Sequence, residues 1–432
     1  MTTPVNSRRW TNWGLNQESV ADVLTPGSVD EVATQVKQAG DSGRRVKVVG
    51  SGHSFTSIAV ADDQRMYVHR LNHLISVDGP LVTVQAGMTL SALNRVLAEN
   101  DLAMPNLGDI DAQTVAGAVS TGTHGTGIGH ATLASCVESL TMVTADGTIR
   151  RYTAASPEFP AVRLGLGALG VIVEVTLRCV PAFTLLAEER PMTLPDMLAG
   201  LDEWIPQDDH VEFFWYPYTD RGQLKRNRRV ELDDRPLSRF RGWLDDEFLS
   251  NTVWQGVCSL GRRVPGTVPA LNGIAARALS ARSYTGRSHE VFCTSRRVKF
   301  TEMEYEVPRA ALPEVLAAIT RIFEELPFRV QFPVEVRFTG PDDVWLSHGH
   351  GRESAYIAAH QYLGAPYEPY FRALEAVCTP LGGRPHWGKL HYRDAESLRP
   401  AYPRFDDFLA VRNELDPRRV FTNEYLTRVL GS

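Results

Sequence analysis

The chain has 432 residues and a formal net charge of -6 at pH 7; 43% of its residues are hydrophobic and 22% are charged. This length exceeds what one hydrophobic core usually serves, so we expect two domains of an ordinary globular protein. The negative charge argues against a nucleic-acid-binding protein, and the lack of a long apolar run argues against a transmembrane segment.

The five cysteines lie far apart in the sequence, and none belongs to a Cys-x-x-Cys pair. This usage is typical of reduced thiols, and it predicts neither a disulfide framework nor a cysteine zinc site. We therefore expect a cytoplasmic protein, while the sequence leaves a peripheral association with a membrane open.

Short helices and short strands alternate along the N-terminal part, which predicts an α+β fold. A capping box opens the first helix, and an Asp-Gly pair marks the turn of a hairpin. The predicted elements are a helix from Ser28 to Gly40, strands Val46–Val49 and Leu81–Val84, a helix from Thr89 to Asn100, a hairpin over Val137–Arg151 and a strand over Val171–Val180.

The character of the sequence changes after Pro181, and residues 216–290 carry no clean period that would assign them. Regular patterns return further on, with an amphipathic helix first. The predicted elements there are the helix Leu312–Leu326, strands Gln331–Phe338 and Ala355–Tyr362, a helix near Tyr367–Cys378 and a helical tail over Phe405–Leu430. We place a domain boundary near residue 182.

The segment Gly165–Gly170 spells the Gly-x-Gly-x-x-Gly dinucleotide fingerprint. That fingerprint requires a following helix whose N-terminus meets the pyrophosphate. The residues from Val171 alternate and are β-branched, which predicts a strand. We interpret the motif as a tight turn into a strand and not as a Rossmann site.

Two other glycine-rich segments are better candidates for a cofactor site. In Gly50–Ser54 the glycines let backbone N–H groups converge on an anion, and His53 lies within the loop. The segment Val115–Gly127 consists almost entirely of small residues, through which the backbone could approach a large flat ligand closely. A flexible linker is the alternative for this run, but its valines and alanines are too apolar for one.

These segments follow one another in the order found in the vanillyl-alcohol-oxidase (p-cresol methylhydroxylase, PCMH) superfamily, whose FAD-binding domain the N-terminal part resembles. The resemblance implies that His53 carries an 8α-histidyl bond to FAD. It predicts a single covalent bond, because the loop Pro105–Asp111 holds no cysteine. Further cofactor contacts are implied for Gly50, Ser51, Gly52, Ser54, Gly108, Asp109, Thr114, Gly117, Ala118, Ser120, Thr121, Gly122, His124, Gly170 and Ile172.

Three C-terminal motifs resemble the aldonolactone oxidoreductase branch, which includes L-gulono-1,4-lactone and D-arabinono-1,4-lactone oxidases. They are Glu335-Val-Arg337, Arg384-Pro-His-Trp-Gly-Lys389 and Phe421–Tyr425. The implied architecture is a PCMH-type FAD-binding domain over residues 1–182 and a substrate domain over 183–432. The substrate domain would hold a mixed or antiparallel sheet flanked by helices, and its last ~40 residues would pack back on the FAD domain.

The resemblance implies FAD-dependent oxidation of a sugar 1,4-lactone by hydride transfer to the flavin, with Glu335, Arg337 and Lys389 as catalytic residues. Glu335 and Arg337 point to one face of a strand. We expect Arg337 and Lys389 to hold the reacting oxygen and Glu335 to orient the substrate or Arg337. Asp109 and His386 complete the predicted substrate site.

Each of these residues also has an ordinary structural interpretation. A Glu and an Arg two apart on a strand are commonly a surface ion pair, and Lys389 alone would be a solvated lysine. Trp387 is expected to pack in the core. The pair His348-Gly-His350 lacks a third ligand at a convincing spacing, so we expect no metal site.

Several alternatives stay open at this point. The nearest is an alditol oxidase that uses the same residues on an open-chain polyol of the xylitol or sorbitol type. A hydroxy-acid dehydrogenase and a flavin-binding module without turnover are more distant. The electron acceptor is oxygen or another molecule; Gly108 favours oxidase behaviour, since the resemblance associates glycine there with oxygen access.

Overall fold

The computed structural model describes residues 7–231, 235–238, 251–294 and 296–432. Four β-sheets and the helices between them form this part of the chain, and the α+β class predicted from the sequence is confirmed. No helix in the described ranges is both long and apolar enough to cross a bilayer.

The N-terminal part begins with a mixed four-stranded sheet in the order β1-β2-β4-β3, in which only β1 and β2 are antiparallel. Helix α1 covers this sheet with Val32, Val36 and Ala39. Ser28 caps α1, but Glu31 accepts a hydrogen bond from Gly27 N, so only half of the predicted capping box forms. These elements are β1 (Ser7–Thr11), β2 (Glu18–Leu24), α1 (Val29–Asp41), β3 (Val46–Val49) and β4 (Gln64–Tyr67).

A second, five-stranded antiparallel sheet has the order β5-β6-β10-β8-β9. The predicted hairpin is confirmed as β8 and β9, and a two-stranded pair of β7 and β11 lies beside the sheet. The elements are β5 (Leu74–Asp78), β6 (Leu81–Gln85), α2 (Leu90–Glu99), β7 (Leu102–Ala103), α3 (Val115–Thr121), β8 (Val137–Val143), β9 (Ile149–Thr153), α4 (Phe159–Val162), β10 (Val171–Arg178) and β11 (Val180–Pro181).

The C-terminal part is built on an eight-stranded antiparallel sheet in the order β15-β12-β14-β13-β17-β18-β16-β19. Helices α5, α9 and α10 bury one face of it. The strands are β12 (Thr184–Thr193), β13 (His210–Trp215), β14 (Arg221–Val230), β15 (Arg282–Arg287), β16 (Phe300–Pro308), β17 (Val334–Thr339), β18 (Ser354–Tyr362) and β19 (Arg384–Pro385). The helices are α5 (Leu194–Gln207), α6 (Trp254–Arg263), α7 (Val268–Ala278), α8 (Ser288–Phe292), α9 (Leu312–Glu325), α10 (Glu368–Cys378), α11 (Ala395–Leu398), α12 (Phe405–Leu415) and α13 (Glu424–Leu430).

The turn before β10 confirms that the Gly-x-Gly-x-x-Gly segment is not a Rossmann site. Leu166 and Gly167 have φ angles of 55° and 62°, and the chain enters a strand directly afterwards. The strand predicted from Gln331 begins at Val334 instead, because Pro333 has no N–H to donate to a ladder.

Two regions carried structure that the sequence did not predict. Helix α3 lies in the small-residue run, where glycines weaken helix propensity; the Thr114 cap and the burial of Val115, Ala118 and Val119 offset that. The unassigned stretch 216–290 contributes β14, β15, α6 and α7, while its residues 232–234 and 239–250 lie outside the described ranges.

The last helices return to the N-terminal part. Phe405, Phe408, Tyr425 and Leu426 share one hydrophobic core with residues of β6, β8 and β10. Trp387 is fully buried in that core, as predicted. Asn423 donates to the carbonyls of Ser57, Ile58 and Val60 and so holds α13 against the short helical turn between β3 and β4.

Candidate active site

The loop Gly50–Ser54 leaves the end of β3 and forms one wall of a cavity. Helix α3 and the turn before β10 form the other walls. Eleven of the predicted cofactor residues line this cavity: Gly50, Ser51, Gly52, His53, Ser54, Thr114, Gly117, Ser120, Thr121, Gly170 and Ile172.

The close approach between this loop and α3 requires a residue without a side chain at Gly50. A Cβ atom there would collide with Oγ1 of Thr114, the hydroxyl that caps α3 by accepting from Gly117 N at 3.2 Å. Gly52 has a φ angle of 71°, a left-handed conformation that favours glycine. The glycines therefore let the loop pack directly against the start of α3, with its backbone along one wall of the cavity.

His53 is half-buried at the edge of the cavity, and its imidazole stacks on Trp13 with ring centroids 5.5 Å apart. Burial, followed by the charges of Lys299 and Lys389, lowers the pKa of His53 to about 4. The ring is therefore neutral at pH 7, with one nitrogen that carries a free electron pair. That state suits covalent attachment to an electrophilic ligand atom.

The five remaining predicted cofactor residues lie elsewhere. Ala118 points into the hydrophobic core, and Gly122 ends α3 in a left-handed conformation. Gly108, Asp109 and His124 lie where the N-terminal loops meet the large sheet. The structure thus separates the predicted set into a cavity and a second cluster at the sheet.

Lys47 is a cavity residue that sequence reasoning missed. It lines the cavity from β3 with its side chain buried, and Nζ lies 3.3 Å from Gly167 O and 3.4 Å from Phe421 O. Burial, aided by Arg412, lowers its pKa to about 7. Its only signal in the sequence is a charge in an otherwise apolar strand, Val46–Val49.

The face of the large sheet opposite its helices carries charged side chains in one continuous row. Each of the eight strands contributes one residue to this row, directly opposite its neighbours in the register of the sheet, and the sign of the charge alternates over most of the row. In strand order it reads Arg282, Glu189, Lys225, Glu212, Arg337, Tyr356, Glu306 and Arg384. Seven charged groups, buried or half-buried, can lie together because each faces a partner of opposite sign or a hydrogen-bonding group.

Arg337 occupies the middle of the row and is held by three carboxylates. Its Nε donates to Oε2 of Glu212 at 2.9 Å, and its Nη2 contacts both Asp109 and Glu335. Burial alone would raise the pKa of Asp109, but Arg337 and then Arg296 hold it well below its ordinary value. Asp109 therefore stays ionised and ties the N-terminal loop to the sheet.

The pKa of Glu335 shifts in the opposite direction to that of Asp109. Burial raises its pKa to about 7, because Arg337 offsets only part of the desolvation while Asp109 and Glu212 add to it. A carboxyl group with a pKa near 7 can accept or release a proton under physiological conditions. Glu335 is thus the member of the cluster suited to proton transfer.

Lys389 lies in an adjoining cluster on β16 and β18. Its Nζ contacts Glu302, whose other oxygen is 3.3 Å from Nε2 of His360. Burial would raise the pKa of Glu302, yet Lys389 and His360 lower it to about 2. The lysine is consequently held as a cation, and the loop of His53 lies nearby, because Phe55 N donates to Gly388 O at 2.6 Å.

His386 belongs to a third group together with His124 and Glu304, and ligand atoms of the three lie within 4.8 Å of one another, a spacing a metal ion could bridge. Nδ1 of His386 accepts from Gly388 N at 3.0 Å, so its proton lies on Nε2. Nε2 of His124 is 3.2 Å from Oε1 of Glu304. Because Nδ1 of His386 already accepts a hydrogen bond, its Nε2–H is available as a hydrogen-bond donor, and His386 has no free nitrogen lone pair to bind a metal ion.

The structure therefore brings Glu335, Arg337 and Asp109 into contact and places Lys389 and His386 in adjoining clusters. Sequence reasoning missed Glu212, Lys225, Arg296, His360 and the carboxylates of β16. One signal was available: Glu302, Glu304 and Glu306 alternate with apolar residues on a strand, which places three carboxylates on one face.

Comparisons with known proteins match both parts of the chain. Residues 175–429 match the family model of D-arabinono-1,4-lactone oxidase, and residues 20–153 match an FAD binding domain. An L-gulono-1,4-lactone dehydrogenase of Mycobacterium tuberculosis is 41% identical and is aligned over 98% of this chain and 99% of its own length.

Other relatives are more distant. The L-gulonolactone oxidase of Bos taurus is 33% identical over 98% of both chains, and an alditol oxidase of a Streptomyces species is 32% identical over 97% of this chain and 98% of its own. A cholesterol oxidase from Brevibacterium sterolicum has the same fold, with a TM-score of 0.84 at 19% identity over 98% of this chain and 97% of that one.

Proposed function

The chain belongs to the D-arabinono-1,4-lactone oxidase family, and we propose that it uses FAD to oxidise an alcohol group of a sugar 1,4-lactone. The observation that carries the proposal is the buried cluster of Glu335, Arg337 and Asp109 beside Lys389, at the place where the N-terminal loops meet the large sheet. A sugar lactone carries several hydroxyl and carbonyl oxygens, to which Arg337 and Lys389 can donate hydrogen bonds and from whose hydroxyls the carboxylates can accept them.

FAD fits the residues of the cavity. Four of the five residues of the Gly50–Ser54 loop are small and line the cavity, and a Cβ at Gly50 would collide with the Thr114 side chain at the start of α3. We propose that His53 carries the covalent bond to FAD, which its neutral imidazole and its position on Trp13 support. When bound, FAD supplies the two-electron redox chemistry, while the protein binds and orients the substrate.

The side chains of the cluster bind the substrate, accept its proton and position one another. Arg337 and Lys389 hold the reacting oxygen and stabilise negative charge that develops on it. Glu335 takes the hydroxyl proton, since its pKa of about 7 lets it act as a base at neutral pH. Asp109 and Glu212 fix the guanidinium of Arg337, and His386 offers Nε2–H to a further substrate oxygen.

Oxygen is the acceptor that the loop at Gly108 favours. This glycine is buried beside the carbonyl of His124, which a Cβ atom at this position would approach to 3.0 Å, so a side chain would crowd the loop that bears Asp109. A dye, quinone or cytochrome is the alternative acceptor, and relatives named dehydrogenase and oxidase both occur.

The domain organisation and the location are also proposals. A boundary near residue 182 is supported by the large sheet, whose first strand starts at Thr184, and a returning tail is supported by the core shared by α12 and α13. A cytoplasmic location is supported by the five cysteines, which form no disulfide.

The test is anaerobic mixing of the purified yellow protein with L-gulono-1,4-lactone and, separately, with xylitol, while the visible flavin band is followed. Rapid bleaching by the lactone alone is the expected result. Bleaching by xylitol alone would assign the protein to alditol oxidation, the activity named for the Streptomyces relative. Bleaching by neither would refute the substrate assignment and leave the FAD site untouched.

A further inference from the structure

Lys47 is a buried lysine without a counter-ion in the described part of the chain. Its side chain leaves β3 and is only 4% exposed, and no carboxylate of the described ranges lies within ion-pair distance of it, in contrast to Lys225 and Lys389. Its Nζ donates to two neutral carbonyls, Gly167 O at 3.3 Å and Phe421 O at 3.4 Å. Both contacts are longer than the usual N–H···O distance, so the ammonium group is weakly satisfied.

Three more distant charged groups surround Lys47. Burial lowers its pKa to about 7, and the charge of Arg412 adds to this, while Asp416 and Asp62 raise the pKa by less. Asp416 already accepts hydrogen bonds from two backbone N–H groups of the chain that follows α12. The fold therefore supplies no direct partner for the positive charge, although buried charges in proteins are usually paired.

The cavity beside Lys47 has room for the missing partner. Lys47, Gly167 and the loop Gly50–Ser54 line the same cavity, so the ammonium group and the backbone of the loop border one space. Glycines in that loop let backbone N–H groups converge on an anion. A buried cation and such a loop beside one cavity favour a ligand with a negatively charged group.

We propose that Lys47 is the counter-ion of the FAD pyrophosphate and that binding of FAD is accompanied by protonation of this lysine. The inference rests on the proposed function, in which the cavity holds FAD. The pyrophosphate is the part of oxidised FAD that is ionised at neutral pH, and a charge-assisted hydrogen bond to phosphate is about twice as strong as a neutral one. Lys47 therefore acts on the middle of the cofactor, while His53 lies at another part of the same cavity.

A purely structural role is the competing interpretation. Nζ of Lys47 connects β3 to the chain before α13 through Phe421 O. A neutral donor would satisfy two carbonyls equally well, without the cost of removing a charge from water. An anion in the cavity offsets that cost, and the two interpretations differ in how the chain discriminates between ligands with and without phosphate.

The proton balance gives the proposal a pH signature. In the empty cavity Lys47 loses its proton above about pH 7, and a neighbouring phosphate stabilises the ammonium form and raises its pKa. Binding of FAD above pH 7 should thus take up as much as one proton from the solvent. The affinity for FAD should consequently fall as the pH rises above 7, by up to about ten-fold per pH unit.

The experiment uses the full-length His53→Ala protein, from which the flavin can be removed because the proposed attachment residue is absent. Flavin fluorescence measures the binding of FAD and of riboflavin, which has the same ring system but no phosphate. Lys47→Met in this background should weaken FAD binding about 10- to 100-fold at pH 7 and leave riboflavin binding unchanged. Titration calorimetry in two buffers with different ionisation enthalpies should detect proton uptake with Lys47 and none with Met.

Two further variants serve as controls. Lys47→Arg keeps a cation that does not titrate, so it should bind FAD well and without the dependence on pH. Lys37→Met removes an exposed lysine of α1 and should change neither the affinity for FAD nor the proton uptake.

Equal weakening of FAD and riboflavin binding by Lys47→Met would overturn the proposal and assign Lys47 a structural role. FAD binding without proton uptake when Lys47 is present would also overturn it. Failure of the His53→Ala protein to bind either flavin would refute the cofactor assignment itself, and this result is recognised separately because it precedes any change at Lys47.

Discussion

Glu212 and Arg337 lie directly opposite each other on the neighbouring strands β13 and β17, and the guanidinium Nε donates to the carboxylate at 2.9 Å. Lys225 lies opposite Glu212 on the other side, at 3.2 Å from Oε1. Glu212 therefore joins the half-buried Lys225 to the arginine of the proposed active site. It fixes the direction of the guanidinium plane without needing to touch the substrate.

Glu212→Gln should slow flavin reduction about 10- to 100-fold while the KM for the lactone changes little, because a misdirected Arg337 loses mainly transition-state contacts. Glu188→Gln on β12 breaks a more exposed ion pair on the same sheet and is the control. Stopped-flow reduction under anaerobic conditions measures both. A rate equal to that of the control variant would mean that Glu212 has no role in positioning.

The rate of flavin reduction should rise with pH through about 7. Glu335 holds its proton up to that pH, and only the ionised carboxylate can accept the hydroxyl proton. Glu335→Gln should be slow at every pH and should lose this inflection. An inflection that persists in Glu335→Gln would assign the titration to another group.

His53→Ala should abolish covalent flavin. Flavin fluorescence should stay on the denatured wild-type band and leave the variant band, because the variant lacks the imidazole that we propose as the attachment point. His73→Ala, which changes an exposed histidine outside the cavity, should keep the fluorescence. Fluorescence that survives in His53→Ala would show that the attachment point is a different residue.

Gly108→Ala should slow reoxidation of the reduced flavin by oxygen without slowing its reduction. The new methyl group would lie 3.0 Å from the carbonyl oxygen of His124 and would crowd the loop that bears Asp109. Gly129→Ala adds a methyl group in open space and is the control. Release of peroxide in air measures the effect, and equal rates in both variants would remove Gly108 from the path of oxygen.

Lys47 should make the stability of the protein depend on pH. Its pKa falls from 10.5 in the unfolded chain to about 7 in the fold, so between these values the unfolded state binds more protons and stability rises with pH. Lys47→Met should remove a slope of up to about 1.4 kcal/mol per pH unit from the free energy of unfolding. Denaturant unfolding of the cofactor-free protein at several pH values measures this slope, and Lys37→Met, which changes an exposed lysine, is the control. Equal slopes in wild type and Lys47→Met would contradict the lowered pKa of Lys47.

Much of the molecule could be predicted from local patterns. The order of the glycine loops and the C-terminal motifs predicted the family, and the matches over residues 20–153 and 175–429 confirm it. Helices α1, α2, α9 and α10 were found because each has an amphipathic period or a cap. Covalent attachment through His53 and the catalytic roles stay predictions.

Other features depended on partners that are distant in the chain. The stretch 216–290 has no readable period, because β14 pairs with a strand on each edge and its charged residues face charged partners there. Helix α3 forms in a run of poor helix formers, since the Thr114 cap and the core stabilise it.

The sequence by itself determined which side chains share a face: the period of two on β17 places Glu335 and Arg337 together, and the glycines of Gly50–Ser54 open the loop around His53. Only the tertiary structure decided their chemistry. Strand order brings Glu212 and Asp109 to Arg337 across long sequence separations, and burial then raises the pKa of Glu335 to about 7 while lowering that of Asp109. The period of two shows which side chains share a face of a strand. Their charged neighbours and their burial, which set the pKa values, are determined only by how the strands and loops pack.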